Sequence, residues 1–121
     1  MKDEIQALLP LTQTEIQILL ALAGGERHGY AIMQEIIEQT RGRMRVGPGS
    51  LYGTIKRLLA RALIVETVDR SDPNSNDERR RYYKMTELGR KTLAAEVRNL
   101  AQVVELASAK HVFTRSRTSP A

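Results

Sequence analysis

Gly47-Pro48-Gly49-Ser50-Leu51-Tyr52-Gly53-Thr54-Ile55-Lys56-Arg57-Leu58-Leu59-Ala60-Arg61 decides how the rest of this chain is read. The stretch opens with two turn glycines around a proline and then takes on a helical pattern. Leu51, Ile55, Leu58 and Ala62 follow one another at offsets of 4, 3 and 4, which gathers them on one helix face. At about 100° per residue, the opposite arc carries Ser50, Gly53, Thr54, Lys56, Arg57, Ala60 and Arg61. Small residues on that arc let a backbone come close to a phosphate or a groove floor. Lys and Arg supply charge, and Ser and Thr supply neutral donors. A solvated helix face ordinarily mixes Glu with Lys to gain i,i+4 pairs, yet no acidic residue lies between Glu38 and Glu66. The helix is suited to lie against a polyanion.

Composition points the same way. The chain has 121 residues, room for one domain with a modest core. Lys plus Arg number 19 against 14 Asp plus Glu, a net charge of +5 and a sequence pI near 9.9. Such a balance favours nucleic acid or an anionic membrane surface. The membrane reading is the weaker one: there is no long apolar run, and Lys2-Asp3-Glu4 opens neither a signal peptide nor a lipidation motif. The absence of cysteine excludes disulfides, thiolate metal sites and a cysteine nucleophile, and fits a cytoplasmic protein.

Working outward, Ile5, Leu8 and Leu9 form a short apolar stripe ended by Pro10. Thr12-Gln13-Thr14-Glu15 is a capping-box pattern, followed by Ile16, Leu19, Leu20 and Ala23 at helical spacing and stopped by Gly24-Gly25. A second helix is expected from about His28 to Gln39, burying Ile32 and Ile36. Arg41 to Val46 is a basic connector, and Pro48 suits the first turn of the helix that follows. After Ala62 the pattern changes. Leu63 to Val68 is short and β-branched, and Glu78 to Met85 alternates, with Asp69 to Asp77 as a polar hairpin tip. Thr86 caps a last helix reaching about Ala109. Three helices followed by a two-stranded hairpin is the order of a winged helix-turn-helix. The fold class is therefore mainly α with a small antiparallel β-hairpin, a winged helix-turn-helix domain plus a C-terminal dimerisation helix. The expected division is 1–85 for the DNA-binding domain (1–10 its short N-terminal helix), 86–111 for the dimerisation helix and 112–121 for a disordered tail.

The dimerisation helix is read from its spacing. Leu93, Val97, Leu100, Val104 and Ala107 recur at 4, 3, 4 and 3, a heptad-like seam widened by Leu88, Val103 and Leu106. The Ile5-Leu8-Leu9 stripe is a natural additional cover from either subunit.

Several segments carry a family likeness. Leu11-Thr12, Leu19-Leu20-Ala21-Leu22 and His28-Gly29-Tyr30, then Gly49-Ser50-Leu51-Tyr52-Gly53-Thr54-Ile55-Lys56-Arg57-Leu58, resemble the opening and recognition helix of the PadR family of bacterial transcriptional regulators. Ala62-Leu63-Ile64, Arg79-Arg80-Arg81-Tyr82-Tyr83-Lys84-Met85-Thr86 and Glu87-Leu88-Gly89-Arg90 continue the resemblance in order to about residue 93. Gly53 stands where the family commonly has proline, Ala62 where it has a turn glycine, and Met85 where it has leucine. The resemblance implies a homodimeric repressor that binds double-stranded operator DNA and answers to a small-molecule effector. In one subgroup, planar ligands stack on tryptophan at the dimer interface. With no Trp, and a single Phe at Phe113, such a pocket is not expected here.

The candidate DNA-binding residues are Ser50, Tyr52, Gly53, Thr54, Lys56, Arg57 and Arg61 on the recognition helix, Arg79, Arg80 and Arg81 on the wing, and His28. Two readings stay open for Tyr52, as a half-buried packing residue or as a phosphate donor through its hydroxyl. Ser50 caps its helix, touches a phosphate, or does both. His28 caps or packs, or else meets a phosphate. Alternation along a strand prevents Arg79, Arg80 and Arg81 from all facing one groove. Chemistry is not expected. The Gly47-x-Gly49-Ser50 segment lacks the lysine of a P-loop, no Ser/His/Asp set is present, and His28 and His111 have no carboxylate cluster for a metal. No cofactor is implied. A different class of function would use the same basic face to dock an acidic protein partner.

Overall fold

The computed structural model describes residues 2–68 and 81–114. Its elements run α1 (Lys2–Ala7), α2 (Gln13–Ala23), β1 (Arg27–His28), α3 (Gly29–Gln39), α4 (Pro48–Ala60), β2 (Ile64–Val68), β3 (Arg81–Met85) and α5 (Glu87–Ala109). The wing tip 69–77, together with Glu78, Arg79 and Arg80, lies outside the described residues, as does 115–121 of the expected tail. Residues 112–114 are described, and Val112 donates its N–H back to the Ala107 carbonyl at 2.9 Å, so the end of α5 is closed by part of that tail segment.

Local chemistry starts each helix. The Thr12 hydroxyl accepts the Glu15 N–H at 3.1 Å, and the Glu15 carboxylate accepts the Thr12 N–H at 2.8 Å, the reciprocal bonds of a capping box. His28 caps α3 and Thr86 caps α5 through their side chains, each worth about 1 kcal/mol by analogy with other polar caps. The N-cap of α4 is Gly47, which has no side chain to offer, so Ser50 sits inside the first turn rather than at the cap.

Helix ends use a conformation that the sequence disguises. Gly42 N–H reaches Ile37 O at 2.8 Å, and Leu63 N–H reaches Leu58 O at 3.0 Å. These six-to-one bonds place Arg41 (φ 54°) and Ala62 (φ 61°) in the left-handed region. A side chain there costs about 1–2 kcal/mol relative to the right-handed form. Ala62 therefore terminates α4 and is exposed, contrary to its expected place on the core face. Leu63 takes that place and is fully buried.

The core is formed by Ile18 and Leu19 of α2, Ile32 and Ile36 of α3, and Leu51, Ile55 and Leu58 of α4, closed by Leu63, Ile64, Tyr83 and Met85. Each such aliphatic side chain contributes about 1.5–3 kcal/mol on burial. In α2 the buried apolar set is Ile16, Ile18, Leu19, Ala21 and Leu22, with Glu15 buried beside them, while Leu20 and Ala23 of the helical spacing are exposed. That helix is covered on two sides, by α3 and α4 and by α5, so its buried arc is wider than a single stripe.

The sheet has three strands in the order β1-β3-β2, all antiparallel. Ile64 pairs with Met85 and Glu66 with Tyr83, while Arg27 and His28 pair with Tyr83 and Tyr82 on the other edge of β3. The third strand, only two residues long, is an addition to the expected hairpin.

The first half of α5 packs on the domain. Leu93 lies in the core, and Glu96 is buried and accepts the Leu11 N–H at 2.7 Å, tying the α1–α2 connector to α5. Leu93 is therefore a core residue and not part of a free seam. Val97, Leu100, Val103, Val104 and Leu106 are exposed, Val103 by 61%.

Candidate nucleic-acid interface

The outward face of α4 is narrower than its sequence pattern suggested. Lys56 and Arg57 are exposed, as are Ser50, Ala60 and half of the Tyr52 ring, with Gly53 between them. Thr54 is a correction. It is buried, its hydroxyl donates to the Ser50 carbonyl at 2.9 Å, and it accepts from Arg57 Nη2 at 3.1 Å. Thr54 sits only about 60° around the helix from Leu51, on the flank of the core stripe. Its role is to hold the Arg57 guanidinium back toward the start of the helix, the direction helical side chains lean.

Space around the glycines is open on this face. A Cβ at Gly47 or Gly49 would meet nothing within 4 Å, and one at Gly53 would meet only an Arg57 nitrogen at 3.9 Å. Core packing therefore does not explain Gly53 in mid-helix. With Pro48 lacking an N–H and Gly47 lacking a cap side chain, the N–H groups of the first turn face outward, a favourable setting for an anion.

Tyr52 resolves toward packing. Its hydroxyl lies where a side chain on Gly29 would be, so the bare first residue of α3 accommodates the ring, while 46% of the residue stays exposed. His28 is also engaged by the fold. Its Nδ1 accepts the Ala31 N–H at 3.1 Å, which puts a neutral ring's proton on Nε2, and its edge meets Tyr82 at 5.3 Å between centroids. Behind them, burial pushes the Tyr83 phenol above its usual range, reinforced by Glu66 and Tyr52 and partly opposed by Arg81. That ring therefore stays neutral and adds no anion beneath the basic surface.

Two of the expected arginines are paired. Arg81 contacts Glu66 at 3.4 Å across the wing, with its side chain still 56% exposed. Arg61, at the C-cap of α4, turns aside to the carboxylate of Glu15. Arg79 and Arg80 lie outside the described residues, so the structure brings together Ser50, Tyr52, Gly53, Lys56 and Arg57 and leaves Arg61, Thr54 and His28 engaged elsewhere.

The α3–α4 connector carries further exposed cations. Arg41, Arg43 and Arg45 are exposed, while Met44 and Val46, alternating with the last two, pack against the core. Thr40 pins this alternation, since its hydroxyl accepts the Met44 N–H at 3.0 Å. The alternation Arg43-Met44-Arg45-Val46, cation then apolar residue, was the available signal. Among the described residues, no three His, Cys, Asp or Glu side chains form a metal-ligand group, and no helix is long and apolar enough to cross a membrane.

Comparison with known proteins accords with this architecture. Residues 18–95 match the model of the transcriptional regulator PadR-like family, and the chain belongs to that family. Its members are transcriptional regulators rather than enzymes. The chain is 37% identical to the transcriptional regulator Rv3488 of Mycobacterium tuberculosis over 89 residues, 73% of this chain and 76% of that protein. It is 39% identical over 89 residues to an uncharacterised protein of transposon TN4556 from Streptomyces fradiae, a match covering 74% of this chain but spanning only 23% of that relative's length. Bacillus subtilis PadR, in a crystal structure with operator DNA, superposes with a TM-score of 0.63 at 20% identity, covering 73% of this chain and 48% of the other. That likeness is one of fold.

Proposed function

We propose that this protein is a cytoplasmic DNA-binding repressor that acts as a homodimer on a pseudo-palindromic operator and responds to a small-molecule effector. The observation that carries the reading is the acid-free, exposed face of α4, where Lys56 and Arg57 flank open backbone at Gly47, Gly49 and Gly53. In this arrangement α4 enters the major groove. Its first turn, the Arg43 and Arg45 connector and the wing hold phosphates. That a protein of this fold, Bacillus subtilis PadR, has been solved with operator DNA supports DNA as the ligand here. Two-fold symmetry then sets half-sites about 10 bp apart or near a multiple of it. An effector has a place to act in the groove between α1 and α5, about 480 Å³, lined by Ile5, Gln6, Lys91, Ala94, Ala95 and Arg98. It borders the arm on which dimerisation is proposed.

The test contrasts two neighbours. Thr54 steers Arg57 toward the groove-entering end of α4, so Arg57→Ala is expected to lose about 1–3 kcal/mol of discrimination at one operator position. Lys56→Ala is expected to weaken operator and random duplex alike. Anisotropy titrations against both duplexes, after footprinting on the upstream region of the chain's own gene, read the difference. Equal losses on both duplexes for Arg57→Ala would remove it from base reading. Footprinting that finds no protected site would favour an acidic protein partner instead.

Gly53 offers a second check. Gly53→Ala is expected to stabilise the fold by about 1 kcal/mol through helix propensity, yet to weaken operator binding by placing a methyl on the groove side. Thermal melts and the same titrations measure both. A more stable variant with undiminished affinity would show that DNA does not use this space.

A further inference from the structure

Arg61 lies about 80° around α4 from Leu51, one turn beyond Arg57 at the edge of the cationic face. Its guanidinium pairs with Glu15 Oε2, and the other oxygen of that carboxylate accepts the Thr12 N–H at 2.8 Å. The Glu15 side chain is only 5% exposed, whereas that of Arg61 is 31% exposed. Among the described residues, Glu15 is the only carboxylate paired with a cation of α4 or its cap, and it comes from another helix. We propose that Glu15 holds Arg61 back from the DNA backbone, so that this pair sets the sequence-independent part of the affinity. The inference rests on the DNA-binding reading above.

The asymmetry of burial makes the restraint work in one direction. The carboxylate is fixed by the capping box and cannot follow Arg61 outward. A phosphate can take Arg61 only by leaving a buried charge without its partner, which is strongly unfavourable. The guanidinium, already a third in solvent, would move at little loss once the opposing charge is gone. Glutamine at position 15 removes the charge while preserving the reciprocal cap, because Gln serves that role as Glu does.

Salt titrations with a random-sequence duplex test this on the full chain, comparing the parent, Glu15→Gln, Arg61→Gln and the double variant. Arg61→Gln should share the parent's log–log salt slope, since the parent's Arg61 holds no phosphate. Glu15→Gln should be steeper by about 0.9, one further phosphate, and its advantage over the parent should shrink about 3.5-fold between roughly 50 and 200 mM salt. The double variant should return to the parent slope. A slope shallower than the parent's for Arg61→Gln alone would show that Arg61 already contacts DNA, and a parent-like slope for folded Glu15→Gln would show that nothing is held back. Either result overturns the proposal. If Glu15→Gln melts below the assay temperature, all four titrations are run at a lower temperature where it is folded, and the same slopes decide. A parent that binds no duplex at all would instead overturn the DNA-binding reading, an outcome distinct from four proteins with equal slopes.

Discussion

Leu100→Arg is expected to convert the protein to a folded monomer that has lost operator binding. Leu100 lies on the second half of α5, 39% exposed in the single chain, beside Val97, Val103 and Val104. None of these belongs to the domain core, so the substitution removes no packing from within one protomer. On a two-fold axis each change occurs twice. Two leucines leave the seam at about 1.5–3 kcal/mol each, and two like charges take their place. A loss of at least about 4 kcal/mol corresponds to a dimer weakened about a thousandfold. Each recognition helix would then meet its half-site alone. Leu93→Arg is the informative contrast. Leu93 shares the heptad spacing but is only 7% exposed, inside the core, so its substitution should unfold the domain rather than separate the subunits. Analytical ultracentrifugation and circular dichroism on both variants, with anisotropy on the operator, distinguish these outcomes. A folded Leu100→Arg that remains dimeric and binds the operator as the parent does would eliminate α5 as the dimer arm.

Several local determinants were legible in the sequence. The Thr12–Glu15 box, Pro48 in the first turn of α4 and Thr86 before α5 each act within a few residues, and all three appear where spacing put them. The order of helices and strands followed from periodicity. Three kinds of feature were hidden. The left-handed ends at Arg41 and Ala62 lack the glycine that ordinarily signals them, so the apolar spacing of α4 runs on to Ala62, past the end of the helix. Flank positions were hidden as well, because a helical wheel separates only the centres of two faces. Thr54 and Arg61 stand between those centres, and the direction each turns depends on its partners, Ser50 and Arg57 on its own helix for Thr54. Glu15 decides it for Arg61, at a sequence separation of 46 residues that no local pattern encodes. Leu93 belongs to the same class. Its heptad spacing is real, but the surface it meets is its own domain's. Strand β1 has two residues, too few for alternation, and exists because β3 has a second edge to fill.

Gly89→Ala is expected to be the most destabilising small substitution in the chain. Gly89 lies in the first turn of α5 within the Glu87-Leu88-Gly89-Arg90 segment and is buried. A Cβ there would stand 2.1 Å from the Leu63 carbonyl oxygen and 3.0 Å from its carbon, both backbone atoms. That carbonyl is held in place because it accepts the Thr86 N–H at 3.1 Å, while the Thr86 hydroxyl donates to the Ala62 carbonyl at 2.7 Å and accepts the Gly89 N–H at 2.9 Å. The cap of α5, the turn after α4 and the start of β2 thus meet at one bare Cα. Neither side can yield without breaking these bonds, and overpacking against a fixed backbone costs about 3 kcal/mol. For a domain of this size such a loss lowers the melting temperature by more than about 10 °C. Gly29→Ala provides the comparison. The atoms it would strike, at 2.1 to 2.9 Å, all belong to the Tyr52 ring, whose end can swing into solvent. Its melting temperature should fall much less, although Tyr52 would be displaced on the recognition helix and operator binding should weaken. Paired melts of the two variants test the distinction. Equal losses of stability would mean that the Leu63 carbonyl is as free to move as a tyrosine hydroxyl, and that the junction beneath α5 is not fixed in the way these bonds require.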